Sequence, residues 1–155
     1  MSDRELVEVA GFAVALDRAY DPAGHFWVAT TSDDPGRFRI GMDALGVETS
    51  GTLAQLAFLP VGAAVKRGEP FGSLEAAKFV GPLTSPVSGT VTNHNEAVLS
   101  DPSLVDRDPY GAGWLIEVEP ADPAELDGLV QGAEVIPAWF AAEVEDYRLK
   151  GMLAE

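Results

Sequence analysis

Short apolar runs separated by glycine and proline recur along most of the chain, and this pattern is typical of β-strands joined by tight turns. Glycine adopts backbone angles that other residues avoid, and proline interrupts hydrogen-bond ladders, so both residues mark strand ends. Residues 7–16 are a candidate edge strand, and the other predicted strands cover residues 26–30, 36–41, 52–59, 71–76, 79–84, 89–94 and 113–119. The pattern therefore predicts a mostly β fold.

Helical patterns are few, and most are short. The sequence predicts a short helix at residues 42–45 and a single turn at residues 101–104. A better helix opens at Asp122, which suits the capping position, and Pro123 suits the first helical position because it lacks an N–H group.

The last helix is predicted to run from about Pro137 to Lys150. Its apolar side chains recur at helical spacing and form one stripe, which predicts packing against the core. Glu143 is expected to lie largely off this stripe, and Gly151 is a suitable terminator. The stripe consists of Trp139, Phe140, Val144 and Tyr147.

The composition indicates one globular domain of 155 residues with a strong acidic excess. A net charge of -15 argues against binding to nucleic acid or anionic membranes, because both attract surfaces rich in lysine and arginine. Such a protein can instead dock on basic clefts of partner proteins. The alternative is that the acidic surface serves solubility alone.

The chain has no cysteine, which excludes disulfides, cysteine-based metal sites and thiol nucleophiles. The two histidines, His25 and His94, do not have the spacing of a metal site. No segment approaches the roughly 20 apolar residues of a membrane span. The first residues are too acidic for a secretory signal, so we expect a cytoplasmic protein.

Lys78 stands in a setting that differs from that of the other two lysines, Lys66 and Lys150. Two small alanines precede it, and a turn with the sequence Ser85-Pro86-Val87-Ser88-Gly89 begins seven residues later. Between two predicted strands, this arrangement is typical of a hairpin tip. The residues alone leave open an ordinary exposed lysine.

From about Tyr20 to about Leu129 the chain resembles the H protein of the glycine cleavage system. Lys78 stands eight residues before Pro86, which is the family's spacing for its lipoyl-lysine, and Glu75 matches the glutamate three residues before that lysine. The other matching segments occur in the family's order: His25-Phe26-Trp27-Val28, Arg39-Ile40-Gly41-Met42-Asp43-Ala44, Val61-Gly62, Gly68-Glu69-Pro70-Phe71-Gly72, Asn95-Glu96-Ala97 and Asp108-Pro109-Tyr110-Gly111-Ala112-Gly113-Trp114-Leu115-Ile116.

The resemblance implies a lipoyl-domain-like barrel-sandwich hybrid with C-terminal helices. It implies lipoate in amide linkage to Lys78, with Glu75 recognised by the ligase, on a carrier that is not itself an enzyme. The implied partners are a lipoate ligase or lipoyl-assembly enzymes, dihydrolipoamide dehydrogenase and the enzymes that load the arm. A biotin carrier has similar topology, but its lysine usually lies between methionines, whereas Ala77 and Phe79 flank Lys78.

The resemblance also sets the expected organisation of the chain. A single lipoyl-carrier domain covers residues 1–155, with an N-terminal extension at residues 1–19 and a C-terminal helix and tail at residues 137–155. Both additions lie outside the family's usual limits. They either cover new surface near the arm or cap the sandwich.

In the family, the loaded arm folds back and places its aminomethyl group in a cleft with polar acceptors. The resemblance implies that His25 and Phe26 lie in this cleft, and the alternative for His25 is a structural hydrogen bond to a neighbouring strand. Gly24, Phe26 and Pro82 stand where the family has serine, glutamate and aspartate. Because a buried ammonium group needs acceptors, these departures predict an apolar cleft unsuited to an aminomethyl group.

Three functions remain open at this point. The departures favour a sister group, the lipoate-binding proteins of bacterial sulfur oxidation, whose dithiol carries sulfur intermediates to a heterodisulfide-reductase-like complex. The alternative is a glycine cleavage H protein that carries the aminomethyl group among the glycine cleavage enzymes, or a lipoyl donor to other proteins. In the third, Lys78 is never modified and the chain is a binding module.

Overall fold

The computed structural model describes residues 6–30 and 36–153, and strands are its main elements. They are short and pair in antiparallel fashion. The strands are β1 (Leu6–Val9), β2 (Phe12–Ala15), β3 (Ala19–Asp21), β4 (Phe26–Thr30), β5 (Phe38–Met42), β6 (Leu53–Phe58), β7 (Ala64–Val65), β8 (Pro70–Ala76), β9 (Val80–Thr84), β10 (Gly89–His94) and β11 (Ile116–Pro120).

Two larger sheets enclose the main core. One has the strand order β3-β4-β5-β11-β10-β7, and the other has the order β6-β8-β9. Alternate side chains of a regular strand point to the same face, so Phe26 and Val28 of β4 both reach the main core. Phe71 and Leu74 of β8 reach the same core because a register shift between Pro70 and Gly72 interrupts the alternation. This arrangement confirms the predicted mostly β fold with short helices.

The helices join and cover these sheets. They are α1 (Ala44–Ser50), α2 (Glu96–Ser100), α3 (Ser103–Arg107) and α4 (Ile136–Leu149), with a 3-10 helix at Pro123–Gly128. Asp122 caps the 3-10 helix, as predicted, because its side chain accepts a hydrogen bond from the Ala124 N–H at 3.1 Å.

The helix predicted at residues 42–45 begins and ends later than expected. Asp43 has extended backbone angles and its carboxylate accepts a hydrogen bond from the Gly46 N–H at 2.9 Å. Asp43 is therefore the cap of α1 rather than part of it. The turn predicted at residues 101–104 is likewise displaced into α3.

Residues 6–15 form a hairpin instead of the single edge strand predicted at residues 7–16. Val9 pairs with Phe12 across Ala10 and Gly11, whose φ angles of 53° and 95° both lie in the left-handed region. Two successive positive φ angles are typical of a tight hairpin turn, but Ala-Gly is not among its usual sequences. The sequence pattern therefore did not predict the turn.

The N-terminal hairpin and α4 close a second core on the opposite face of β4. Trp27 points to this face because it alternates with Phe26 and Val28. The second core comprises Val14, Ala15, Tyr20, Trp27, Leu45, Tyr110, Ile136, Phe140 and Val144. The described parts of the two predicted extensions thus pack together over the sandwich, and residues 1–5 and 154–155 of those extensions lie outside the described residues.

Candidate functional site

Lys78 lies at the tip of the β8–β9 hairpin, and its side chain is exposed. The turn is closed by a hydrogen bond of 2.9 Å from the Ala76 N–H to the Phe79 carbonyl. Phe79 and Val80, which follow the lysine, are 43% and 70% exposed. A lysine on such a tip is accessible to a modifying enzyme.

The end of α1 fixes the backbone of this tip. The Lys78 N–H donates to the Ser50 carbonyl at 2.8 Å, and the Ala77 N–H donates to the Thr52 carbonyl at 2.9 Å. Gly51, between these two acceptors, has a φ of 79° and a ψ of -170°, a conformation available essentially only to glycine. Glycine at this position therefore allows both carbonyls to face the hairpin.

A groove of about 460 Å³ lies between the hairpin tip, the end of α1 and α3. A β-carbon placed on Gly51 would lie 3.2 Å from both Cγ and Cε of Lys78, so the lysine stem lies against this glycine. A lysine acylated by lipoate fits this arrangement, because the stem is supported and the side chain is open to solvent. The groove is lined by Val47, Glu48, Gly51, Thr52, Ala77, Lys78 and Asp106.

Two carboxylates share the groove with Lys78. Burial raises the pKa of Asp106, against the effects of a 3.4 Å hydrogen bond from the Leu53 N–H and of the Arg107 charge. In the part of the chain that the structure describes, no cationic side chain lies within 4.0 Å of Glu48 or Asp106. Among the described residues, the groove therefore holds two carboxylates that no ion pair neutralises.

Glu75 is exposed on β8, opposite Val80 in the hairpin register. With Gln55 and Ser73 it lines a second groove, of about 410 Å³, on the three-stranded sheet. Its place beside the lysine is compatible with ligase recognition, which stays a prediction.

His25 lies beneath α4, and the residue is 2% exposed. Its Nδ1 is 2.7 Å from an Asp43 carboxylate oxygen, and its Nε2 is 2.8 Å from a Glu143 carboxylate oxygen. The ring stacks on Trp139 with centroids 5.6 Å apart and meets the Tyr147 ring at 5.3 Å. The imidazole is thus held between two carboxylates and two aromatic rings.

The two carboxylates control the protonation of His25. Burial opposes a charge on the ring, but the hydrogen bonds and charges of Asp43 and Glu143 outweigh it and raise the His25 pKa above its ordinary value. Burial raises the pKa of Asp43, while the bond to His25 and the α1 amides oppose that shift. The cluster therefore favours the protonated form of His25.

The structure corrects the prediction that His25 and Phe26 line an arm cleft. Phe26 is 4% exposed, and its ring centroid lies 5.6 Å from that of Phe71 in the main core. A β-carbon on Gly24 would lie only 2.8 Å from the Phe26 ring, so that ring occupies the space beside Gly24. Pro82 is exposed on β9. The space expected to form an apolar cleft is here filled by a core side chain.

Sequence reasoning missed the carboxylates of both clusters. Glu143 was expected off the apolar stripe of α4, but it lies four residues from both Trp139 and Tyr147 and so shares their face. This spacing of four residues could have predicted from the sequence that Glu143 faces the same side as the two aromatic rings. Glu48 and Asp106 gave no signal, because they lie on different helices and only the folded structure places both along one groove.

The described part of the chain offers neither a metal site nor a membrane-spanning helix. In residues 6–30 and 36–153, no group of three or more histidine and carboxylate side chains could hold a metal ion. Over the same ranges, no helix has the length and apolar character needed to cross a membrane.

Comparison with known proteins gives one consistent family. The sequence model described as glycine cleavage H-protein matches residues 18–138. Glycine cleavage system H protein 2 of Aquifex aeolicus (strain VF5) is 32% identical over 130 residues, which cover 83% of this chain and 80% of the relative. The H protein of Prochlorococcus marinus (strain MIT 9313) is 40% identical over 119 residues, which cover 74% of this chain and 90% of the relative.

A solved structure agrees with the sequence matches. The crystal structure of a glycine cleavage system H protein from Mycobacterium marinum superposes with a TM-score of 0.63 at 35% sequence identity. The superposition covers 97% of that protein and 74% of this chain, so this chain has residues with no counterpart in it.

Proposed function

The chain belongs to the glycine cleavage H-protein family, and we propose that it carries a lipoyl group on Lys78. Members of this family are carriers rather than catalysts, and they hold lipoate covalently on a lysine. The observation that carries the assignment is the position of Lys78 at an exposed hairpin tip, inside the matched residues 18–138. Its backbone is held by α1, so the enzymes that visit the arm meet a lysine in a fixed place.

The chain supplies the support and the lipoyl group supplies the reactive dithiol. Acylation removes the charge of Lys78, and Gly51 leaves room for the acylated stem. Because the chain has no cysteine, it offers no thiolate that could attack the lipoyl sulfurs from within the same molecule.

We propose the aminomethyl group of glycine cleavage as the cargo. The relatives compared above bear the glycine cleavage name, and the groove beside Lys78 offers carboxylates to a cationic amine. The proposed partners are the glycine cleavage enzymes, a lipoate ligase or lipoyl-assembly enzymes, and dihydrolipoamide dehydrogenase. The net charge of -15 suits repeated docking on basic clefts of these enzymes.

A sulfur carrier is the second candidate, because Phe26 and Pro82 replace the acidic cleft residues of the family. A neutral or anionic sulfur adduct needs no carboxylate. The sequence ranked this function first, but the relatives favour glycine cleavage, and none of those compared supports a heterodisulfide-reductase-like partner.

The first test is the intact mass of the chain after incubation with lipoate, ATP and a lipoate ligase. One lipoyl increment is expected in the wild type and in Lys66→Ala, and none in Lys78→Ala. If the wild type stays unmodified while a control lipoyl domain is modified, the proposal is wrong.

A second measurement separates the two cargoes. The lipoylated chain is incubated with glycine and glycine decarboxylase, and an aminomethyl mass increment is expected. Pro82→Asp restores a family carboxylate at an exposed position and should speed this loading. No increment, with an authentic H protein loaded in parallel, would favour the sulfur carrier.

A further inference from the structure

We propose that Phe79 and Val80 form an apolar docking surface for the enzyme that attaches lipoate to Lys78, and that Phe79 is the specificity-determining residue of this surface. This inference rests on the proposed function, because the enzyme acts on the lysine that carries the arm. It goes beyond the predicted role of Glu75, since it assigns to the enzyme an apolar pocket rather than a contact with a carboxylate.

Phe79 and Val80 are large apolar residues exposed beside Lys78 on a chain with a net charge of -15. They are 43% and 70% exposed. No other exposed large apolar side chain among the described residues lies on the β8–β9 hairpin. Single exposed apolar residues are common, but two adjacent ones at a hairpin tip give a partner a continuous apolar contact.

The Phe79 ring is held in place on Gly81. A β-carbon at Gly81 would lie 2.9 Å from Cζ of that ring and 3.4 Å from its Cε2, so the ring lies directly over the glycine. The Phe79 carbonyl accepts a hydrogen bond from the Ala76 N–H at 2.9 Å, which fixes the backbone of the same residue. An aromatic side chain that is already ordered loses little conformational entropy when a partner covers it.

The chemistry of attachment identifies the partner that covers this surface. The Lys78 amine attacks the carbonyl of an acyl adenylate formed from lipoate and ATP. The amide C–N bond forms, the acyl C–O bond to the phosphate breaks, AMP leaves, and two protons of the former ammonium pass to solvent. The carbonyl must come within bonding distance of Nζ, so the enzyme must enclose the tip. Enzymes that use the finished arm act on its dithiolane, which lies a full acyl chain farther from Phe79.

The charges around the tip define the rim of the partner's site. Glu48 and Asp106 lie along the groove on one side of the lysine, and Glu75 lies opposite Val80 in the hairpin register. An apolar centre inside a polar rim is the usual arrangement of a protein interface. The complementary partner is an acyl-transferring enzyme with an apolar pocket for Phe79 inside a basic rim.

Lipoylation kinetics of the full chain test this surface. With lipoate, ATP and a lipoate ligase, Phe79→Ala should raise the KM for the chain about tenfold and leave kcat nearly unchanged, because the lost contact binds ground state and transition state alike. Phe79→Leu should recover most of the wild-type KM, since it returns an apolar side chain to the tip. Val61→Ala is the matched control and should keep the wild-type KM, because Val61 is 59% exposed but lies outside the hairpin.

Gly81→Ala moves the ring without changing Phe79 or Lys78. The backbone of Gly81 does not lie in the left-handed region, so the added β-carbon displaces mainly the flexible ring. This substitution should raise KM in the wild-type background and have no effect in the Phe79→Ala background. Additive effects of the two substitutions, or a wild-type KM for Phe79→Ala, would overturn the inference.

Further outcomes separate this inference from the proposed function. If Lys78 is lipoylated but Phe79→Ala keeps the wild-type KM, the docking surface is wrong and the proposed carrier stands. If the wild type gains no lipoyl mass while a control lipoyl domain does, the carrier is wrong and the inference falls with it. Once lipoylated, Phe79→Ala should be reduced by NADH and dihydrolipoamide dehydrogenase with the wild-type KM. A raised KM for the dehydrogenase alone would assign the surface to enzymes of the finished arm and overturn the inference.

Discussion

At the scale of single residues, His25 and Phe26 show that a family motif can be kept while the roles of its side chains change. His25 has a φ of 58°, an angle that histidine tolerates better than most residues, and its ring turns under α4 to meet Asp43 and Glu143. Phe26 turns into the main core. Both side chains stabilise the fold and neither is open to the arm.

The His25 cluster should make stability depend on pH. Because the folded pKa of His25 is raised, its contribution is fully present below the unfolded pKa of about 6.5 and is lost as the pH rises through the folded pKa. Each unit of elevation contributes about 1.4 kcal/mol. Glu143→Gln removes part of this rise in the His25 pKa. The stability that the variant loses, measured by urea unfolding, should therefore be largest at about pH 6 and smaller at higher pH.

Glu145→Gln is the matched control, because Glu145 lies on the same helix and pairs with Arg148 at the surface. The effect of Glu145→Gln on the free energy of unfolding should not change with pH as His25 titrates. A loss in Glu143→Gln that is the same at every pH would contradict the protonated cluster.

Phe26→Glu tests where the ring lies. Restoring the family's glutamate should destabilise the chain by about 3–5 kcal/mol, because it removes a buried aromatic ring and places a carboxylate in the core. Phe79→Glu, at the exposed tip, should cost little. Equal unfolding free energies for the two variants would mean that Phe26 faces an open cleft.

At the scale of elements, α1 joins the two clusters. Asp43 caps its first turn and binds His25, and the Ser50 carbonyl at its other end accepts a hydrogen bond from the Lys78 N–H. The sequence predicted a helix here but placed it at residues 42–45. Its function as a support for the hairpin became visible only in the structure.

Gly51→Ala should destabilise the chain by about 1–3 kcal/mol, because the backbone angles of Gly51 are available essentially only to glycine. The added β-carbon would also press on the lysine stem, so the rate of lipoylation should fall. Gly68→Ala is the control, since Gly68 also has a positive φ but its β-carbon would meet no atom within 4 Å. Gly68→Ala should lose stability without slower lipoylation, and equal lipoylation rates in both variants would contradict the contact.

At the scale of the whole molecule, the chain has two cores. The family match ends at residue 138, within α4, whereas the second core depends on the part of α4 beyond that point. Phe140 and Val144 are fully buried there. The C-terminal helix is therefore part of the folded unit.

Truncation after Val135 should cost several kcal/mol, because Ile136, Phe140 and Val144 each contribute about 1.5–3 kcal/mol through burial. Truncation after Leu153 keeps the contacts of the second core and should leave the chain nearly as stable as the wild type. Thermal unfolding followed by circular dichroism measures both. A stable chain ending at Val135 would show that the second core is dispensable.

Local pattern in the sequence determined most of the strands, the mostly β fold and the place of Lys78 between two of them. These features depend on neighbours within a few residues, where side-chain alternation and turn residues act directly. The tight turn at Ala10 and Gly11 was not predicted, because its residues are not the usual ones for such a turn. Strands β3 and β7 were not predicted either, because strands of three and two residues are too short to show an alternating pattern.

Only the tertiary structure decided which charged groups meet. Glu143 is 118 positions from His25, and Glu48 reaches the same groove as Asp106 from a different helix. Such pairings depend on how distant segments pack, and burial then sets the energy of each charge. The sequence therefore determined where this protein displays its lysine, and the packing of α1, α3 and α4 decided which side chains surround that lysine and which support it from below.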